Sequence, residues 1–181
     1  MSRVAIAVLV LACGRTAAAG PIVGAGLDMI PGGSMEVQTA TAGTMGFALA
    51  PSAGVSAQLG FRASLISVAL VPRYLPSRHA ELDPSSTFSQ LDLAVRVAGH
   101  YAITPELDVF GFVAPGYSVL FTNNDGAAGA VLAIGIGAAY AVARHVELDA
   151  TLAYDYGDQH SNDGALTAPR QLAFSLGVAT R

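Results

Sequence analysis

Residues 132–157 read "LAIGIGAAYAVARHVELDATLAYDYG", with large apolar side chains at every second place. Leu132, Ile134, Ile136, Ala138 and Tyr140 form one run, and after Arg144 and His145 a second runs through Val146, Leu148, Ala150, Leu152, Tyr154 and Tyr156. Between them lie Gly135, Gly137 and Ala139, then Glu147, Asp149 and Asp155. A strict period of two means β-strands, and the break at 143–145 means a tight turn. The fold turns on which face of this hairpin looks inward.

Composition narrows the choice. The 181 residues are 52% hydrophobic and only 12% charged, with 20 glycines; all nine basic residues are arginine. An ordinary soluble domain carries about 25% charged residues, so this chain is short of groups to face water. No stretch reaches the roughly 18 apolar residues of a transmembrane helix. High hydrophobicity without a spanning helix points to a spanning barrel, because in lipid only helices and closed barrels satisfy their own backbone groups. The first residues, "MSRVAIAVLVLACGRTAAAG", have a basic start, an apolar core and small residues at Ala17–Ala19. They read as a secretory signal peptide over 1–19, cleaved after Ala19. The alternative is a lipoprotein-type signal in which Cys13, the only cysteine, carries the lipid. Without 1–19 the chain has seven arginines against thirteen acids, a net charge of −6. That excludes a nucleic-acid partner, which needs a basic patch.

Eight strands are expected: 21–30, 53–61, 65–74, 87–101, 106–121, 129–142, 146–156 and 170–180. Most meet the roughly 9–11 residues of a tilted membrane-crossing strand. The connections 62–64, 102–105 and 143–145 are short. Those at 31–52, 75–86, 122–128 and 157–169 are longer and rich in turn-forming residues. An even strand count with short turns at one end and long loops at the other is outer-membrane barrel architecture. The expectation is an all-β, eight-stranded, antiparallel up-and-down transmembrane barrel over 20–181.

Two readings of the faces compete. A soluble sandwich or a lipocalin-like barrel binding an apolar ligand would turn the greasy face inward. A membrane barrel turns it to lipid and fills the lumen with the other face. That other face is mostly Ala, Gly and Ser, too poor in charge for a soluble exterior and suited to a narrow eight-stranded lumen. Phe110 and Phe112 share the inward parity of Glu106 and Asp108, and Gly135 and Gly137 on the next strand leave them room. On the outward parity, Phe61, Tyr101 and Tyr140 sit at the short-turn ends. Tyr74, Tyr117, Phe121, Tyr154, Tyr156 and Phe174 sit toward the long-loop ends, giving two aromatic girdles.

With these features the chain resembles the small eight-stranded outer-membrane barrels of Gram-negative bacteria, the OmpA-like, OmpX-like and opacity-protein group. The likeness covers most of 20–181. It is clearest in "GPIVGAGLDM", "SAQLGFRASLISVAL", "GHYAITPELDVFGFVAPGY" and the opening stretch. The resemblance implies outer-membrane lipid and the barrel-assembly machinery as partners, a monomer, termini in the periplasm, and a role in envelope integrity or surface interaction with an unidentified extracellular partner. It departs at the end, where such proteins commonly finish on an aromatic residue and this chain reads "SLGVATR".

The expected lumen network is Arg73, Asp92, Arg96, His100, Asp108, Glu147, Asp149 and Asp155, since buried charges require partners. His100 is expected opposite Glu106 or Asp108. Such a network plugs the lumen; a narrow pore whose pairs exchange is its functional variant. No catalytic, cofactor or metal site is expected. "DQHSNDG" at 158–164 invites comparison with lipid A deacylases, but adjacent His160 and Ser161 point to opposite faces, and four scattered histidines have no metal-ligand spacing.

Overall fold

The computed structural model describes residues 19–39, 43–81, 83–122, 126–161 and 165–180. The signal segment, apart from Ala19, lies outside the described residues. Among these residues there are ten strands: β1 (Gly20–Ile30), β2 (Gly33–Thr39), β3 (Gly43–Leu49), β4 (Ser52–Ala63), β5 (Ile66–Ala80), β6 (Asp83–Ala102), β7 (Leu107–Phe121), β8 (Gly126–Ala143), β9 (Val146–Ser161) and β10 (Leu166–Thr180). No helix among the described residues is long and apolar enough to cross a membrane.

The ten strands make eight walls. β1 and β2 form one line interrupted at Pro31–Gly32, and β3 and β4 another interrupted at Ala50–Pro51. The register across the interruption is unbroken, with Ile30 facing Ser52 and Gly33 facing Leu49. Each wall pairs antiparallel with the next in the chain, and β1 pairs back onto β10 from Gly24–Ala179 to Met29–Phe174. The sheet is therefore a closed up-and-down barrel with no free edge along its body. At the seam, the Thr180 hydroxyl accepts from the Val23 amide at 2.9 Å and donates to the Pro21 carbonyl at 3.2 Å. Thr180 thus ties the last strand to the first.

The expected long loops are mostly strand. The segment expected as loop 31–52 holds β2 and β3. β5 and β6 run to Ala80 and from Asp83, and β8, β9 and β10 each extend beyond their expected ends. Glycine, serine and proline in these stretches read as turns, but paired neighbours supply ladder partners that a single-strand pattern cannot show. Two bulges also hid the pattern. Between β5 and β6 the rung Leu75–Gln90 is followed by Arg78–Phe88, so β5 has one extra residue. Ser77 takes a positive φ of 51° there, and the bulge turns Arg78 inward where simple alternation would point it out. Against β10, Met29–Phe174 is followed by Gly33–Gln171, again with one extra residue beside Gly32, whose φ is +154°.

The faces sort as the opening hairpin requires. Leu27, Leu59, Ile136 and Leu176 are among the most exposed large apolar residues, at 66%, 62%, 65% and 58%. The aromatic residues expected in the two girdles are all exposed. The core lies inside the barrel: Phe110 and Phe112 pack with Ala98, Ala114, Ala139 and Ala153. The register sets Phe110 opposite Gly137 and Phe112 opposite Gly135. A Cβ at Gly137 would lie 2.4 Å from Phe110 Cζ, and one at Gly135 2.6 Å from Phe112 Cζ. Both rings therefore occupy space that only glycine leaves open.

Candidate functional site

All eight residues expected in the lumen point inward, in tiers. At the base, the Arg62 guanidinium pairs with Asp108. His100 Nε2 and the Ser67 hydroxyl are 2.8 Å apart, and His100 Nδ1 approaches Asp108 Oδ2 at 3.3 Å. The register partner of His100 is Phe110, while Asp108 faces Ala102. The expected contact with Asp108 is thus diagonal. Glu106 stands outside the lumen in the turn, where it interacts with Thr104. The turn has the expected four residues but is shifted by one, to 103–106 in place of 102–105.

In the middle tier, Arg96 donates to Gln58 Oε1, and Gln58 Nε2 donates to Asp149 Oδ2 at 2.9 Å. Arg96 also lies over Phe110 and Phe112, 5.8 and 5.7 Å from the ring centres, within cation–π range. Glu147 is buried nearby, opposite Ala179 and Ala141. In the upper tier, Arg73 grips Asp92 at 2.7 Å and Asp155 at 2.6 Å. Arg78 donates to Gln90 and, at 2.6 Å, to Gln171. Gln90 and Gln171 in turn donate to Asp92 at 2.8 Å and Asp155 at 3.1 Å. Leu75, Ile30 and Ala173 pack at this level with no more than 1% exposure.

Several members of this network were missed from the sequence. Gln58 and Arg62 share the inward parity of β4; Gln58 is neutral, and Arg62 lies beyond the expected strand end at Phe61. Asp28 has inward parity on β1, blurred because Ile22 and Ile30 put apolar residues on the same face. Arg78 was hidden by the bulge. Gln90 and Gln171 are neutral and drew no notice as charges.

The lumen is nearly full. Between the middle and upper tiers is a chamber of about 100 Å³, lined in part by Asp28, Gln58, Arg73, Arg96, Asp149 and Asp155. Below the Gln58–Arg96–Asp149 tier is a space of about 10 Å³, beside Ser67 and His100. The Ser67–His100–Asp108 order matches the connectivity of an acyl-transfer triad. Its geometry does not. The reacting atom needs a site about 3 Å from the nucleophile and from oxyanion donors, and the space there, about 10 Å³, is no larger than a single water needs. His100 Nδ1 makes no hydrogen bond with Asp108, which Arg62 already holds. In β9, His160 is exposed beside Asp158 at 3.7 Å, whereas Ser161 bonds Ala165 across the strand end. Among the described residues no group of three or more His, Cys, Asp and Glu is arranged to hold a metal ion.

At the end opposite the short turns, the β2–β3 hairpin rises beyond its neighbour. Met35 pairs with Phe47 and Val37 with Met45, which gives one apolar face. The other face carries Glu36, 3.6 Å from Arg170, and Arg170 lies over the Tyr156 ring. Among the described residues β3 meets β5 at one rung, Leu49–Ala80. Ala50 donates its amide to His79, and Ala48 accepts from Glu81. Both backbone groups of an antiparallel residue point to the same side, alternating along the strand. Thr44 and Gly46 therefore aim their N–H and C=O groups past the end of β5.

No protein-family model matches the chain, and no curated protein matches it in sequence. Solved structures do match. Neisserial surface protein A is 16% identical, with 91% of this chain and 99% of that one aligned at a TM-score of 0.68. Ail, the attachment invasion locus protein of Yersinia pestis, in complex with the heparin analogue sucrose octasulfate, is 12% identical over 88% of this chain and 97% of that one, at 0.50. The outer membrane protease OmpT of Escherichia coli aligns over 92% and 99% at 9% identity, but a TM-score of 0.43 carries no argument about activity. Identities this low bear on the fold alone. The chain has the fold of the small eight-stranded outer-membrane β-barrels.

Proposed function

We propose that this chain is a non-enzymatic outer-membrane β-barrel of a Gram-negative envelope, plugged through its lumen, with a role in envelope integrity and surface interaction. The observation that carries the reading is the pairing of an exposed apolar outer face with a filled, charged interior. In water, that face would be an aggregation surface far above the few hundred Å² a soluble monomer tolerates. In lipid it is the expected exterior. The cramped space at Ser67 supports the non-enzymatic part, and the projecting β2–β3 hairpin supports a surface role.

The short turns and both described termini then face the periplasm, and the β2–β3 hairpin faces outside. Protease and surface labelling of intact cells test this orientation. Labels at 122–128 should react from outside and labels at 143–145 should not; the reverse contradicts it. A narrow pore is the second reading, favoured by the chamber. Discrete conductance steps in planar bilayers would support it, and a silent bilayer leaves the plugged barrel.

A further inference from the structure

The chamber between the middle and upper tiers is unbalanced in charge. Asp28, Asp92, Asp149 and Asp155 line it, against Arg73 and Arg96. Arg73 serves both Asp92 and Asp155, and Arg96 reaches Asp149 through Gln58. Asp28 is left over. It is 2% exposed, its Oδ1 accepts from the Ser175 hydroxyl, and its Oδ2 has no hydrogen-bond partner among the described residues. An isolated carboxylate removed from water is costly unless a counter-charge reaches it.

Beside Asp28 the chamber carries three hydroxyls, set among alanine, glycine and valine. Asp28, Ser175 and Thr151 lie side by side on one rung across β1, β10 and β9. Ser56 is one rung away beside Gly26, with its hydroxyl 3.2 Å from where a Cβ on Gly26 would stand. All four line the chamber. A carboxylate with neighbouring hydroxyls offers the oxygen ligands that hard cations take. A divalent ion would want several free carboxylates, and here one is free. The chamber's roughly 100 Å³ is well above the ~10–15 Å³ that one water needs, so an ion with water beside it fits.

We propose that the chamber binds one small alkali cation, with Asp28 as its charged ligand and the hydroxyls of Ser56, Thr151 and Ser175, together with water, completing the shell. This rests on the filled lumen and is independent of any surface role. The bound ion is a structural counter-charge for a folded barrel that otherwise leaves a carboxylate unpaired.

The test uses sodium alone. The folded protein in detergent micelles is heated in sodium chloride and in choline chloride at equal ionic strength, since the alkylated choline nitrogen cannot be ligated by oxygen as sodium is. For the wild type the midpoint should rise with sodium, by roughly 5 °C or more at a hundredfold excess over Kd and logarithmically beyond it. The ²³Na resonance should broaden in its presence. Asp28→Asn keeps the shape and removes the charge; its midpoint should be the same in both salts and its ²³Na line sharp. Thr151→Val should weaken the sodium response without abolishing it. Equal wild-type midpoints in the two salts would overturn the proposal. So would an undiminished sodium response in Asp28→Asn.

Discussion

Replacing Arg73 by methionine probes the plug where it is most tightly built. The guanidinium sits 2.7 Å from Asp92 and 2.6 Å from Asp155, with both carboxylates at most 4% exposed. Removing one partner of a buried ion pair costs about 3–5 kcal/mol, because an uncompensated charge stays behind. Here two carboxylates lose a partner, which pushes the cost up. Asp92 keeps its bond from Gln90 and Asp155 its bond from Gln171, and the chamber beside them can admit water; both push it down. The expected loss for Arg73→Met is about 3 kcal/mol. The triple variant Arg73→Met/Asp92→Asn/Asp155→Asn removes all three charges at similar volume and should return to within about 1 kcal/mol of the wild type. Urea unfolding in detergent micelles, followed by circular dichroism and by the heat-dependent gel shift, reads both. A single-variant cost below about 1 kcal/mol would refute the reasoning by showing the pair to be solvent-screened. So would a triple variant as unstable as the single one, which would mean that packing and not charge sets the cost.

Other parts of the barrel give independent tests. Gly137→Ala puts a methyl 2.4 Å from Phe110 Cζ and should cost about 1–3 kcal/mol by overpacking. Combined with Phe110→Leu, it should show a coupling of at least about 0.5 kcal/mol in a double-mutant cycle, although the Ala150 carbonyl, 2.9 Å from the added methyl, keeps the relief incomplete. Ile136→Arg, on the outward face midway along β8, should cost about 2–4 kcal/mol in bilayers; a soluble barrel would show a change within about 0.5 kcal/mol. In the projecting hairpin, Thr44→Pro should be tolerated, because its amide points past β5. Met45→Pro removes an amide directed at β2 and should open the hairpin to protease.

Much of this structure is written in single-strand alternation. The Leu, Ile and Tyr parity of β8 and β9 places Glu147, Asp149 and Asp155 in the lumen, and parity likewise puts Phe110 and Phe112 on the face they share with Gly135 and Gly137, while the individual Phe110–Gly137 and Phe112–Gly135 pairs appear only in the register. What escaped depends on more than one strand. Arg78 enters the lumen only because Ser77 bulges against β6, and nothing in "LPSRHA" announces that without its partner strand. The β2–β3 extension was concealed by Pro31, Gly32, Pro51 and the glycines, which are turn signals locally but interruptions between collinear strands here. Asp28 was overlooked because isoleucines flank it on the inward face. The sealing of the lumen depends on glutamines whose role appears only when the arginines they bridge are in place.

The central claim is that the Leu, Ile and Tyr face meets lipid and the small, charged face fills the barrel. Single cysteines at Ile136 and Ala133, each carrying a bimane label in vesicles, test it most directly with quenchers attached to lipid acyl chains and with water-soluble iodide. Bimane at Ile136 should be quenched by the acyl-chain quencher and untouched by iodide, and bimane at Ala133 should be shielded from the acyl-chain quencher. Strong iodide quenching at Ile136 with acyl-chain quenching at Ala133 would contradict the account by turning the barrel inside out.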